Sequence, residues 1–197
     1  PSKVVGSVAI GNNTYARTGS TMIGSHNYRG AIGDITIDTD NNGTRGANLN
    51  VYATTVGANS FSNGAFTTTT GTYNVISSSY TGGRFSTPTQ NFGATVNGAF
   101  NSIESTSGGS TAGVATAITG VANRVANSNG VLVYGAGNEI TNSSTSFSTP
   151  GESATSAKDF ADKLKTAVTS SNGAGATMAF GGGNKADYTL RTSMIGV

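Results

Sequence analysis

The chain has 197 residues, of which 29 are glycine and only 10% are charged, with no cysteine and no tryptophan. Its 11 basic and 9 acidic residues give a formal net charge of +2, and no basic run or aromatic-interleaved basic stripe marks a nucleic-acid footprint. The absence of cysteine removes disulfides and thiolate metal sites, and no run of about 18 apolar residues offers a membrane-spanning helix.

Leucine occurs only at 49, 132, 164 and 190, so one thick aliphatic core is out of reach. A thin core of Val, Ile, Ala and Thr suffices if successive repeats stack on one another. The sequence opens at Pro1-Ser2 without a signal peptide and closes at Gly196-Val197 inside a repeat. This reads as a fragment of a longer protein, with any export signal or anchor outside it.

One phrase recurs: a small or apolar stretch, Gly, two residues, then Asn, Thr or Ser. It pairs Gly11 with Thr14, Gly24 with Asn27, Gly57 with Ser60, Gly71 with Asn74, and Gly98 with Asn101. It continues as Gly120 with Asn123, Gly135 with Asn138 and Gly181 with Asn184, and starts again at Ser193-Met194-Ile195-Gly196. The nearest phrase glycines lie 13 to 15 residues apart, which predicts a rung of about 14 residues. Such a rung holds two short strands and two tight turns.

At the first rung, Val8 and Ile10 share one strand face and Ala9 the other. The next turn, Gly24-Ser25-His26-Asn27, carries the only histidine. Other rungs put Asn13, Tyr73 and Gly137 at that place, so His26 reads as a turn residue rather than a catalytic one. Residues 29–52 exceed one rung and read as an excursion. Within it, Asp38-Thr39-Asp40-Asn41-Asn42-Gly43 matches the first half of a calcium loop, but its twelfth position is Leu49. Leucine cannot coordinate, so a structural turn is expected. The run Thr67-Thr68-Thr69-Thr70 resembles one row of a threonine array, yet other rungs do not repeat Thr at that register.

Residues 104–114 read as a Ser/Thr/Gly-rich loop. In Val131-Leu132-Val133-Tyr134 two valines alternate with larger residues, as in a strand. Residues 141–176 form a third excursion, with a helix expected near 154–169. There Ser156-Ala157-Lys158-Asp159 resembles a capping box. Phe160, Ala161, Leu164 and Val168 share the face predicted to pack against the rungs. Gly181-Gly182-Gly183-Asn184-Lys185 lacks the Lys-Ser/Thr ending of a phosphate loop and aligns with Gly135-Ala136-Gly137-Asn138-Glu139 as a rung turn.

The phrase Ser7-Val8-Ala9-Ile10-Gly11, with its variants at 20–24, 130–140 and 193–196, resembles the YadA-like head of trimeric autotransporter adhesins. The resemblance covers about two-thirds of the chain, omits the three excursions, and lacks the family's neck motif. It implies an all-β, left-handed parallel β-roll forming a side-by-side homotrimer, to which the residues near 154–169 add one inserted short helix. It implies a single head fragment over 1–197, exposed on the bacterial cell surface with its outer-membrane anchor elsewhere. The implied partners are a host extracellular-matrix protein, a cell-surface receptor or another bacterium, bound non-covalently and multivalently.

The excursions are the expected recognition elements, because variable loops on a rigid scaffold usually carry binding. Arg29, Asp38, Asp40, Asn42, Arg45 and Phe147 are the candidate ligand-binding residues, with Arg45 foremost because Arg is favoured at hot spots. No catalytic residue, metal ligand or cofactor site is expected. The alternatives are a trimeric β-solenoid glycosidase of the tailspike type, which requires a carboxylate pair, and a passive structural spacer.

Overall fold

The computed structural model describes residues 6–12, 14, 16, 19–27, 50–78, 90–106, 111–144, 158–159, 161–162, 165–166 and 177–197. Among these, the protein is all-β with parallel sheets and almost no helix. The longer sheet has nine strands: β1 (Val8–Ile10), β2 (Thr21–Ser25), β4 (Thr54–Ala58), β7 (Thr68–Thr72), β9 (Thr95–Ala99), β11 (Ala117–Val121), β13 (Leu132–Ala136), β15 (Met178–Gly182) and β17 (Ser193–Gly196). They lie in chain order. A six-stranded sheet runs beside it: β5 (Phe61–Ser62), β8 (Val75–Ser78), β10 (Ser102–Ser105), β12 (Arg124–Ala126), β14 (Glu139–Thr141) and β16 (Lys185–Asp187), also in chain order. A short sheet pairs β3 (Asn50–Val51) with β6 (Gly64–Ala65).

The phrase glycines set the register of the long sheet. Gly24 pairs with Gly57, Gly57 with Gly71, Gly71 with Gly98, Gly98 with Gly120, Gly120 with Gly135, Gly135 with Gly181, and Gly181 with Gly196. Sequence gaps of very different length therefore close to the same alignment. The glycine is obligatory for a reason beyond its positive φ. At Gly120, φ is 142° and a Cβ would stand 1.8 Å from the carbonyl oxygen of Gly135. Two backbones approach here more closely than any side chain permits.

Strand alternation places every second residue inside. The central column of the long sheet runs Met22, Thr55, Thr69, Val96, Ile118, Val133 and Ala179, all fully buried. On the second sheet the inward residues are Ser62, Ile76, Ile103, Val125, Ile140 and Ala186, and all are buried. From Ile76 onward these side chains merge into one aliphatic cluster with Ala94, Val131 and Ala179. The space between the sheets holds one medium side chain from each side. Leu132 and Tyr134 consequently point out while Val131 and Val133 point in.

The residues three after each glycine stack into a buried ladder, as the phrase predicted. Asn101 donates from Nδ2 to the Gly120 carbonyl at 2.8 Å, and its Oδ1 accepts from the Asn123 backbone N–H at 3.1 Å and Nδ2 at 3.0 Å. Asn74, Asn123 and Asn138 repeat this pattern. Each amide thus satisfies a carbonyl freed by the glycine turn and an N–H of the next turn. A second ladder of hydroxyls closes the other end of the short sheet: Ser128 Oγ accepts from Ser143 N, and Ser143 Oγ from Thr189 N.

The excursions differ from their expected limits. Glu104 and Ser105 belong to β10, Asn50 and Val51 to β3, and Thr141 to β14, so each expected loop is shorter than 104–114, 29–52 or 141–176. Ala112 and Val114 are fully buried, and Gly113 N donates to the Ser128 carbonyl, so this turn packs onto the rungs. A fourth excursion, overlooked in the sequence, separates Gly71 from Gly98. Its return at Gln90–Gly93 is held by Asn91 Nδ2, which donates to the Asn63 and Ser77 carbonyls.

Helical residues occur within the expected 154–169 segment, at 158–159, 161–162 and 165–166. Ala161, expected to pack, is exposed. Phe160, Leu164 and Val168 lie outside the described residues.

Candidate functional site

The six predicted ligand-binding residues, Arg29, Asp38, Asp40, Asn42, Arg45 and Phe147, all lie outside the described residues, as does the aspartate turn at 38–43. Among the described residues, no group of three His, Asp or Glu side chains is placed to hold a metal ion. His26 sits at a turn with φ 53°, and its Nδ1 hydrogen-bonds Ser25 Oγ at 2.6 Å, which agrees with a turn residue. Gly181 to Lys185 is a rung turn, with Asn184 in the ladder and Lys185 on β16.

Three surfaces remain, each built by the rung register. The first is the outward face of the long sheet. Its two outer columns carry Val8, Ile10, Ile23 and Val56 at one end and Leu132, Tyr134, Phe180 and Ile195 at the other, all exposed. Ile10 and Tyr134 each keep 58% of their surface in contact with solvent. Tyr134 and Phe180 stack with ring centroids 5.8 Å apart. Between the two apolar ends the same column reads Thr21, Thr54, Thr68 and Thr95 on adjacent strands. This corrects the expectation that threonine does not repeat at that register, because the intervening excursions hid the alignment.

The second surface is the corner two residues after each glycine. There the backbone is left-handed at His26, Asn59, Tyr73, Phe100 and Ala122. Tyr73 and Phe100 stack almost coplanar, with centroids 5.3 Å apart and an interplanar angle of 7°, and both are exposed. Bulky residues are uncommon in this conformation. Stacking of the order of 1 kcal/mol offsets part of the strain. At the opposite corner Tyr52 stacks on Phe66, and Phe66 meets Phe92 at a tilt.

The third is a line of charge across the outer face of the short sheet. Arg124 donates to Glu104 through Nε and Nη2, and through Nη1 to Glu139 Oε1 at 2.9 Å. Lys185 approaches the other Glu139 oxygen at 3.7 Å. Partial burial pushes the Glu104 carboxyl up, but hydrogen bonds from Arg124 and Ser102 and the Arg124 charge outweigh it and leave it below its ordinary value. Hydrogen bonds from Thr141 and Asn142 likewise lower Asp187. The sequence does contain a signal for this line: Arg124, Glu139 and Lys185 each stand four residues after a phrase glycine.

Comparison with protein-family models, with curated proteins and with solved structures found no match to this chain.

Proposed function

We infer that this chain is the head region of a surface adhesin, rolled as a left-handed parallel β-roll and working as a homotrimer. One observation carries the reading: the apolar outward columns of the long sheet, with Val8, Ile10, Ile23 and Val56 at one end and Leu132, Tyr134, Phe180 and Ile195 at the other, face solvent in a single chain. Contiguous exposed apolar surface of this kind marks an interaction site. Three identical faces closing on an axis bury it without leaving a surface for further growth. Strands in chain order on both sheets, with six of the nine long-sheet strands followed by a strand of the second sheet, support a roll of about 14-residue rungs.

Adhesion then rests on several weak contacts per particle rather than one deep pocket. The expected contacts are Arg29, Asp38, Asp40, Asn42, Arg45 and Phe147 in the excursions. Their targets are a host matrix protein, a cell-surface receptor or another bacterium, and the anchoring segment lies in the outer membrane. A tailspike-type glycosidase receives less support. Its general acid needs a raised pKa, which two of the described acids, Glu104 and Asp187, do not have: hydrogen bonds hold both below their ordinary values.

Sedimentation velocity over a concentration series tests the assembly. The expected result is an elongated particle near three times 19.6 kDa. Tyr134→Glu with Phe180→Glu is expected to return it to the mass of one chain. A wild-type monomer at every concentration overturns the trimer. Deleting 34–48 is expected to weaken adhesion to matrix-coated surfaces while leaving the β-rich circular dichroism spectrum intact. Full adhesion by that variant overturns the recognition role of the excursion.

A further inference from the structure

Thr55 and Thr69 are opposite each other on the neighbouring strands β4 and β7, with both side chains on the inward face. Both are fully buried, and neither hydroxyl has a hydrogen-bond partner within the protein. The column they occupy is aliphatic on both sides, with Met22 before and Val96, Ile118 and Val133 after. A valine at either position would fill the same branched shape without an orphaned hydroxyl.

We propose that Thr55 and Thr69 form an internal hydration site, holding one water between their Oγ1 atoms. Spacing decides in its favour. Adjacent strands are about 4.8 Å apart, so two hydroxyls held in the same rotamer stand about that far apart and do not bond directly, in keeping with the lack of a partner at either Oγ1. A water about 2.8 Å from each closes that span with an angle near 120°, well suited to its hydrogen-bonding directions. A buried water needs two to four polar partners, and two hydroxyls able to donate or accept supply the minimum. The surroundings are polar enough to keep it. Ser62 Oγ hydrogen-bonds Thr67 Oγ1, which brings a second hydroxyl pair to the same inward side of β7. Further along the column both neighbours are aliphatic, and apolar cavities stay dry. The water is thus confined to this one pair of strands and is a feature of the monomer, independent of any assembly.

Two measurements decide the matter. In labelled wild-type protein, water-to-methyl cross-relaxation is expected at the γ-methyls of Thr55 and Thr69 from a water that resides for longer than surface solvent. No such signal at either methyl overturns the site. In a double-mutant cycle, Thr55→Val and Thr69→Val are each expected to lower the melting midpoint. The double variant should fall no further than the worse single, because either change removes the same bridge. Two upward shifts that add would mean dry, independent hydroxyls and would overturn the site as well.

Discussion

Residues 53–78 and 94–141 share one frame but fill it differently. Both stretches carry the glycine register and the side-chain ladder. The first puts Thr55, Thr69, Ser62 and Thr67 inside, with Ile76 at its end, while the second puts Val96, Ile103, Ile118, Val125, Val133 and Ile140 there. The first has a ring at its corner in Phe66, stacked on the adjoining Tyr52, and its Tyr73 stacks across onto Phe100 of the second; the second carries the charged line from Glu104 to Glu139. The backbone path is the same in both. Close approach at glycine and satisfaction of the turn carbonyls therefore fix the path, and the interior only has to be small enough to fit.

The sharpest way to break the comparison is to strike the shared frame. Gly71→Ala and Gly120→Ala should be equally damaging, because the added Cβ would stand 1.9 Å or 1.8 Å from the next glycine's carbonyl. Backbone must move in either case, and the cost should exceed the roughly 3 kcal/mol that bounds ordinary substitutions. Loss of the cooperative thermal transition in both variants is the expected result. A mild effect at Gly71 alone would mean that the first stretch tolerates a displaced rung.

Substitutions in the interior should instead separate the stretches. Ser62 and Ile103 each stand five residues after a phrase glycine and point inward. Ile103→Ala opens a cavity in a close-packed cluster and should cost about 2–5 kcal/mol. Ser62→Ala removes one hydroxyl and leaves Thr67 with an unpaired partner, costing about 1–2 kcal/mol. Chemical denaturation of the two variants measures the difference. Equal costs would make the second stretch no better packed than the first.

The frame was legible in the sequence because it is literal. A glycine and an amide or hydroxyl three residues on recur wherever the geometry needs them, and every one of those pairings appears in the ladder. The Val8/Ile10 alternation gave the strand but not its polarity, since ordinary burial statistics favour the large residues inside. At β13 a thin interior reverses that choice, with Val133 inside and Leu132 and Tyr134 outside, whereas at β1 Val8, Ala9 and Ile10 are all exposed. The threonine column and the charged line escaped notice because neighbours in space are 14 to 46 residues apart, and only alignment on the glycines unites them. The gap from Gly71 to Gly98 was visible in the numbering and was still missed, as its Ser/Thr-rich residues resemble rungs. The candidate binding residues were chosen for lying in excursions, where no repeat tests a placement.

A smaller contrast lies within the ladder itself. The Asn101 side chain makes four contacts between 2.8 and 3.1 Å to the adjoining turns, whereas Ser60 reaches the Gly71 carbonyl at only 3.5 Å. Asn101→Ala orphans the Gly120 carbonyl and the Asn123 amide and should cost about 1–3 kcal/mol. Ser60→Ala should cost less than about 1 kcal/mol, because its bonds are long. Hydrogen exchange at the Asn123 and Asn74 amides reads each loss separately. Comparable acceleration at both would show that a serine serves the ladder as well as an asparagine.

The least effect, and the most local, should come from acid. Glu104 has a carboxyl pKa below its unfolded value, so its contribution is fully present above about pH 4.5 and is lost as pH falls through the folded value. The carboxylate must then be protonated against Arg124, which has lost half of its bracket and keeps only Glu139. The pair is partly solvent-exposed, which limits the effect to about 1 kcal/mol or less. The first stretch has no counterpart: Phe61 and Val75 stand where Arg124 and Glu139 do. Lowering the pH from 6 to 3 should therefore reduce amide protection, measured against the intrinsic exchange rate at each pH, around β10 and β12 before it does so around β5 and β8, and Glu104→Gln should remove most of that difference. Simultaneous loss of protection in both stretches, unchanged in the variant, would show that acid acts on the frame they share and not on the charged line.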